Sequence, residues 1–343
     1  MPSIPLRTIV ASSISLASLA LPLGLSLGSA GCSSDATASA SSAGASSGGA
    51  GSAGSPSNAG ANASSSDQVV GGFLVELKPM VDGSPAYTSV SGEVFDGPNP
   101  SNLIWTSVTA SGGCELLKPS APFCDPGCGG SAVCVSGGKC QSYATAQDLG
   151  PVILKGLGDD LTMKAVAFIY GGEVDTPYPA AAEGAALDVA VTGGLYGAFH
   201  ITTSMVSPLV TSLTTLQLES GKALALTWTA PGSSASSKLR VKVDISHHGG
   251  IKGKIECEVA DNGSLEIPEA LVTQLIALGV AGFPTVTLTR VTSARTTITP
   301  AVITFEALSS VVLPLTVAGF TSCSDDTECP TGKTCQQSKV CTK

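Results

Sequence analysis

Charged and aromatic residues are scarce in this sequence. Of its 343 residues, 13% are charged and 4% are aromatic, and the net charge is −9. Nucleic acids and anionic lipid surfaces attract clusters of basic residues, which a thinly charged acidic chain does not supply. Neither ligand class is therefore expected to bind through electrostatic attraction.

The short motifs of common enzyme classes are also missing. The chain contains no H-E-x-x-H and no Gly-rich dinucleotide loop after a strand. Its two G-x-S-x-G matches, at 24–28 and 44–48, lie in the apolar N-terminal run and in the Ser/Ala/Gly-rich segment, and neither follows a predicted strand as a nucleophile elbow does. Residues 332–334, "GKT", resemble the end of a phosphate-binding loop, but Thr327 stands where that pattern needs a glycine. We therefore predict no catalytic residue, no cofactor and no metal site, and a non-enzymatic protein.

The chain has three histidines, at positions 200, 247 and 248. His247 and His248 lie in "SHHGG", which we interpret as a solvated turn after a strand. Adjacent strand residues point to opposite faces, so a shared metal would require the turn to rotate one ring. A hydrolase or other enzyme with a site scattered around His200, His247 or His248 is the alternative, because catalytic triads are defined by geometry and not by chain order.

The N-terminus has the layout of an export signal. Arg7 precedes the modestly apolar run "TIVASSISLASLALPLGLSLGSAGC", which ends in small residues. Its last four residues resemble the bacterial lipobox, with Ser29 in the place where Leu is usual. The resemblance implies that residues 1–31 are removed and that Cys32 is lipidated. Because Ser33 and not Asp follows, it also implies the outer membrane or cell surface. Ordinary signal cleavage with Cys32 as a spare thiol is the alternative.

Residues 33–67 are nearly all Ser, Ala and Gly. Such a segment cannot bury enough apolar surface to offset the entropy that ordering would cost. We predict that residues 32–67 form a disordered tether between the lipid on Cys32 and the folded region.

From Gln68 to about residue 320 the pattern is mostly that of β-strands. In "KLRVKVDIS", residues 238–246, apolar and charged side chains alternate with the period of a half-buried strand. One helix is predicted in "IPEALVTQLIALG", residues 267–279, and Asp-Asn-Gly at 261–263 is interpreted as a hairpin turn. We predict an all-β sandwich, in one part or in two parts divided near Gln141, with a general similarity to Ig-like sandwiches.

The cysteines form two ladders. The second has C-x5-C-x5-C-x5-C spacing and the first has C-x3-C-x5-C-x5-C. Neither contains the close C-x2-C pair usual in four-cysteine zinc sites, which favours disulfides. We predict interleaved pairs within each ladder and a fifth disulfide between the two remaining cysteines, while the other two connectivities of each quartet stay open. The predicted pairs are Cys124 with Cys134, Cys128 with Cys140, Cys323 with Cys335, Cys329 with Cys341, and Cys114 with Cys257.

The segments "CGGSAVCVSGGKC" and "CPTGKTC" resemble the short Cys-rich repeats called Dickkopf-like or EB-like in bacterial surface lipoproteins. The resemblance implies extracytoplasmic disulfide modules at 114–140 and 321–343 and no known reaction. We therefore expect a lipid-anchored surface protein with a binding or structural role and a protein or glycan partner. A carbohydrate-binding module is a further alternative if Trp105 and the tyrosines form an exposed platform, whereas Trp228 is expected in the core.

Overall fold

A computed structural model describes residues 68–80, 83–172, 177–232 and 237–343. The signal segment, Cys32 and the tether lie outside these residues. The described chain is all-β with one short helix, as the sequence predicts. The strands are β1 Gln68–Lys78, β2 Tyr87–Val94, β3 Ile104–Ser111, β4 Cys114–Ser120, β5 Ala132–Val135, β6 Lys139–Ser142, β7 Val152–Lys155, β8 Leu161–Met163, β9 Tyr170–Gly172, β10 Ala186–Val191, β11 Phe199–Ser204, β12 Leu216–Leu218, β13 Leu224–Thr227, β14 Lys238–Asp244, β15 Lys254–Ala260, β16 Ser264–Ile267, β17 Thr285–Ile298, β18 Ala301–Val317, β19 Thr334–Cys335 and β20 Cys341–Thr342. Helix α1 is Glu269–Ala277, and one 3-10 turn is Asp326–Glu328.

A large sheet organises the described chain. Its strand order is β3-β4-β15-β14-β17-β18-β1-β2-β9, and β12 pairs with the far end of β18. The pairings of β1 and β12 with β18 are parallel, whereas the other pairs are antiparallel. The similarity to Ig-like sandwiches therefore does not extend to the strand pairing, because the sheets of those folds are antiparallel.

Two hydrophobic clusters lie on one face of the large sheet. The first includes the alternate residues of β18 from Ala301 to Ala307, and the second includes those from Leu313 to Val317. Alternate residues of a strand point to the same face, so the hairpin β17–β18 runs beneath both clusters. A four-stranded sheet of order β11-β10-β7-β8 supplies buried residues to the first cluster, and β13, β16 and α1 supply them to the second.

Helix α1 buries Leu271, Val272 and Leu275 in the second cluster. Pro268 is the N-cap of this helix, with an extended ψ of 142°, and its carbonyl accepts from the amides of Leu271 and Val272. Pro suits this place because the missing N–H would have no partner within the helix. The helix is therefore a core element of the second cluster.

At the boundary between the two clusters lies a buried arginine. The Arg290 side chain, on β17, is 2% exposed. Its Nε donates to Asp261 Oδ2 at 2.6 Å, its Nη2 donates to the Thr229 carbonyl at 2.6 Å, and its Nη1 donates to Ser207 Oγ at 2.9 Å and to the Pro208 carbonyl at 3.2 Å. The guanidinium thus joins β17 to three connecting segments.

Asp261 completes this buried cluster. Besides Arg290, its carboxylate accepts from Trp228 Nε1 at 2.6 Å and from Ser237 Oγ at 3.0 Å. The prediction of a hairpin at this residue was wrong, because β15 pairs with β14 and β16 pairs with β13. The chain changes sheets here, and the Asp261 side chain turns into the protein and not into solvent.

Replacing Asp261 by Asn tests the buried ion pair. We expect the Asp261→Asn variant to lose about 3–5 kcal/mol of unfolding free energy, because the change leaves a buried guanidinium without its counter-charge. Chemical denaturation with the disulfides intact measures this. Asp160→Asn is the control: it removes an exposed contact to Lys155, and we expect a change of about 1 kcal/mol or less. Equal stability of the two variants would contradict the structural role of Asp261.

Tyr170, on β9, is fully buried in the first cluster. Its hydroxyl donates to Asp148 Oδ1 at 2.9 Å and accepts from the Leu149 amide at 2.6 Å. Burial, with a further contribution from the Asp148 carboxylate, raises the pKa of Tyr170 to about 12. The buried phenol therefore stays protonated at pH values where the same group would ionise in the unfolded chain.

This difference predicts an alkaline loss of stability. A pKa raised by folding contributes stability that is complete below the unfolded value, near 10, and is lost as the pH rises to about 12. We expect the unfolding free energy of the wild type to fall more steeply over that range than that of Tyr170→Phe. Urea unfolding at neutral pH and in steps across the range measures the slopes. Tyr87→Phe, at an exposed site, is the control, and its unfolding free energy is expected to fall with pH as that of the wild type does. If the unfolding free energy of Tyr170→Phe falls with the same slope as that of the wild type and of the control, the raised pKa of Tyr170 is refuted.

Candidate functional site

The cysteines of the two ladders form closed modules. The structure contains the disulfides Cys124–Cys134, Cys128–Cys140, Cys323–Cys335 and Cys329–Cys341, the same pairs that the spacing predicts. Each module contains one short hairpin, β5–β6 in the first and β19–β20 in the second. The sulfur atoms of each quartet lie close together, but sulfurs joined to one another have no thiolate with which to bind zinc.

The fifth disulfide has a different setting. Cys114 and Cys257 are directly opposite on β4 and β15, with 4.0 Å between their Cα atoms. Cys114 is therefore part of the large sheet and of the second cluster, not of the first module, which was predicted to begin at this residue. This bridge joins strands that already share a hydrophobic core.

His247 and His248 lie in the turn after β14, and their ring centroids are 4.0 Å apart. The interpretation as a solvated turn after a strand is confirmed, and this turn does rotate one ring: His248 has a φ of 61°, which brings its ring back towards His247. The backbone here also packs closely: Phe283 N donates to the His247 carbonyl, and Gly282 N donates to Ser338 of the second module. The histidine pair thus lies beside the point where that module contacts the sheet.

Burial, the neighbouring His248 and Lys242 lower the pKa of His247. The imidazole is consequently neutral at neutral pH, which is the form that binds metals. A metal site needs at least three ligand atoms close together. In the described part of the chain, the sets of three such atoms within 4.8 Å of one another are formed by cysteines of the two modules, and none of these sets includes His247 or His248. The pair by itself does not make a metal centre.

His200 lies on β11, in a different sheet. Its Nδ1 is 3.4 Å from Asp188 Oδ2, and Thr202 Oγ1 donates to Asp188 Oδ1 at 3.1 Å. In a nucleophilic triad the histidine must accept the hydroxyl proton, whereas here the hydroxyl points to the carboxylate. The His200 side chain is 68% exposed, which is typical of a surface ion pair and not of a water-excluding active site.

The two tryptophans have different environments. Trp228 is 6% exposed in the second cluster, so the core interpretation of this residue is confirmed. Trp105 is half-buried on the opposite, outer face of the large sheet, where Lys254 Nζ lies 4.1 Å from its ring centroid. Lys254 in turn pairs with Glu256. One face of the Trp105 ring is thus covered by the protein's own cation and is not available for stacking on a sugar.

Charged side chains on that outer face pair with one another. Arg240 contacts both Glu258 and Glu306, and Lys238 contacts Glu258 at 2.6 Å. The hydrogen bond from Lys238 lowers the pKa of Glu258, and Arg240 adds to this effect. The charges of these four side chains are therefore balanced within the outer face.

An open cleft of about 390 Å³ lies at the start of β1. Gln68, Asp96, Tyr196 and Pro300 are among its lining residues. Its volume is within the range of small-molecule sites, about 300–1,000 Å³. Two of its polar side chains are bonded within the protein: the Tyr196 hydroxyl donates to the Phe95 carbonyl, and Asp96 accepts from the Thr145 amide. Since Gln68 lines the cleft, the chain that precedes it connects to the folded region here.

Comparison with protein-family models, with curated proteins and with solved structures finds no match to this chain. In the described residues, no helix has the length and apolarity needed to cross a membrane.

The histidine pair generates a prediction about titration. In His248→Asn we expect the pKa of His247 to rise towards its ordinary value, because one of the neighbouring positive charges that lower it is removed. Asn is chosen because it tolerates the positive φ of this position. An NMR pH titration of the imidazole protons measures the shift. His200→Asn, in another sheet, is the control and should leave His247 unchanged; an unchanged pKa in His248→Asn would contradict the coupling.

Proposed function

We propose that this protein is a lipid-anchored, extracytoplasmic surface protein with a non-enzymatic structural or binding role. The observation that carries the proposal is the pairing of the cysteines. Of 11 cysteines in the chain, ten form five disulfides with one another, which leaves Cys32. Disulfides form and persist outside the reducing cytoplasm, and Cys32 follows a signal-like segment at the lipobox-like position.

The arrangement of polar groups supports a non-enzymatic role. His200 lies on β11, whereas His247 and His248 lie in the turn after β14, and none of the three lines the cleft at the start of β1. The Asp188 carboxylate is used by Thr202 and His200 on an exposed face. The hydrolase alternative and the carbohydrate alternative therefore gain no specific support from these contacts. A protein or glycan at the cell surface is the partner class that we propose.

The Cys32→Ser variant tests the anchor. In a bacterial host supplied with an alkyne fatty acid, we expect the wild type to be labelled and to sediment with outer membranes. We expect Cys32→Ser to be exported and unlabelled, and to be released by osmotic shock in a much larger fraction than the wild type, because the acyl chains provide most of the membrane affinity. Cys114→Ala with Cys257→Ala is the matched control, since it removes two cysteines but keeps the lipidation site. An unlabelled wild type that begins at a residue other than Cys32 would refute the anchor.

The binding role is tested by crosslinking in cells. We expect the anchored wild type to recover one partner in near-stoichiometric amounts and Cys32→Ser to recover less of it, because the variant is no longer held near the surface. Recovery of nothing above background from either form would contradict a binding role and leave a structural one.

A further inference from the structure

A tight turn at residues 166–169 combines two unfavourable features. Val166 N donates to the Ile169 carbonyl at 2.9 Å and Ile169 N donates to the Val166 carbonyl at 3.1 Å, so two residues form the loop. Those residues, Ala167 and Phe168, have φ values of 50° and 68°. Two positive φ values define a type I′ geometry, which strongly favours Asn-Gly and is strained for residues with larger side chains. The local sequence "VAFI" contains no turn signal, and sequence analysis did not single it out.

The side chains of this turn point into solvent. Val166 is 75% exposed, Ile169 is 52% exposed and Phe168 is 50% exposed. Three exposed apolar residues on one strained turn are unusual, because Asn-Gly at positions 167 and 168 would relieve the strain and remove the exposed Phe side chain. The next residue, Tyr170, is fully buried and hydrogen-bonded to Asp148, so the turn projects from a firmly held strand.

The strand register locates the turn in the fold. Gly171 pairs with Ser91 and Tyr170 pairs with Gly92, so the chain before Tyr170 lies towards the Val94 end of β2. Val94 pairs with Gly71 near the start of β1, and Phe95 N donates to the Val70 carbonyl. The turn therefore lies towards the end of the sheet at which β1 begins.

Other exposed apolar groups occur at the same end. Leu195 is 58% exposed and lines the cleft together with Gln68 and Pro300. Pro300 is at the tip of the β17–β18 hairpin, next to Ala301, which pairs with Gln68. We call this region the chain-entry end: the turn 166–169, Leu195, Pro300 and Gln68.

We propose that the chain-entry end rests on a lipid surface, with Val166, Phe168 and Ile169 inserted at the level of the headgroups. The inference rests on the proposed lipid on Cys32. Residues 32–67 connect that anchor to Gln68, and a Gly/Ser-rich segment of this length spans only about 30 Å on average. The end of the domain that is bonded to the tether is therefore the end held nearest to the membrane.

The charge of the protein indicates the form of this contact. With a net charge of −9, the chain is not attracted to anionic headgroups, so the contact depends on apolar insertion. Phe, Val and Ile at a turn are suited to insertion at the boundary between headgroups and acyl chains. Binding to zwitterionic lipid should therefore be stronger than binding to anionic lipid and should change little with salt.

Vesicle flotation tests the proposal without the acyl anchor. The parent is the exported Cys32→Ser chain, mixed with phosphatidylcholine vesicles at low and at high salt. We expect it to float with the vesicles. The same chain with Ala167→Asn and Phe168→Gly should float at least about tenfold less, because it loses an inserted Phe side chain. Asn-Gly fits the positive φ values, so this variant should unfold at the same or a higher temperature than the parent.

Val312→Thr in the Cys32→Ser chain is the matched control, because Val312 is 62% exposed on β18 and away from the turn. It should float like the parent. Flotation of the Asn-Gly variant equal to that of the parent would overturn the proposal, as would a parent that does not float. If the parent instead forms a dimer by light scattering and the Asn-Gly variant does not, the turn binds a second copy and the lipid assignment is wrong. Because every chain here lacks Cys32, these results are independent of whether the wild type is lipidated.

Discussion

The buried ion pair between Arg290 and Asp261 is the contact on which the two halves of the described fold depend. Strand β17 runs from one hydrophobic cluster to the other. On the face of β17 that contacts the clusters, Arg290 lies between Leu288 of the second cluster and Ala294, which packs against the first. Its guanidinium binds the Thr229 and Pro208 carbonyls as well as Asp261, so segments that follow three different strands meet at one charge. A buried charge is tolerated only when its partners are present, so these segments must be positioned together.

The disulfides stabilise the parts of the chain that have little core of their own. In the second module, Cys323, Cys341 and Val340 are the buried apolar residues, and its two disulfides close loops of 12 residues in sequence separation. A segment of this size cannot offset its ordering entropy by burial alone. Cys114–Cys257 is different, because it spans 143 residues between strands that already pack on the second cluster. There the covalent bond adds to a stable contact and does not replace one.

Charged and apolar side chains on the surface of the described residues have different surroundings. Charges on the outer face of the large sheet pair with one another, and His200 is used in a surface contact with Asp188. The exposed apolar side chains of the 166–169 turn and of Leu195 lie towards the end of the described fold at which β1 begins. In the proposal above, the end at which β1 begins is the end held near the membrane.

The amino-acid sequence by itself determined the all-β class, the position of α1 and the two cysteine quartets, because period-two alternation, a helical stripe and short cysteine spacings are local signals. It predicted the interleaved pairs and, by elimination, Cys114–Cys257, and the structure decided among the connectivities that the spacings left open. It also placed Trp228 correctly in the core. The tertiary structure alone decided that Asp261 is buried, that the ring of His248 turns back to His247, and that Ala167 and Phe168 form a strained turn. These features depend on long-range contacts: the partner of Asp261 is 29 residues away, and positive φ at residues other than Gly is imposed by the surrounding packing and not by local preference.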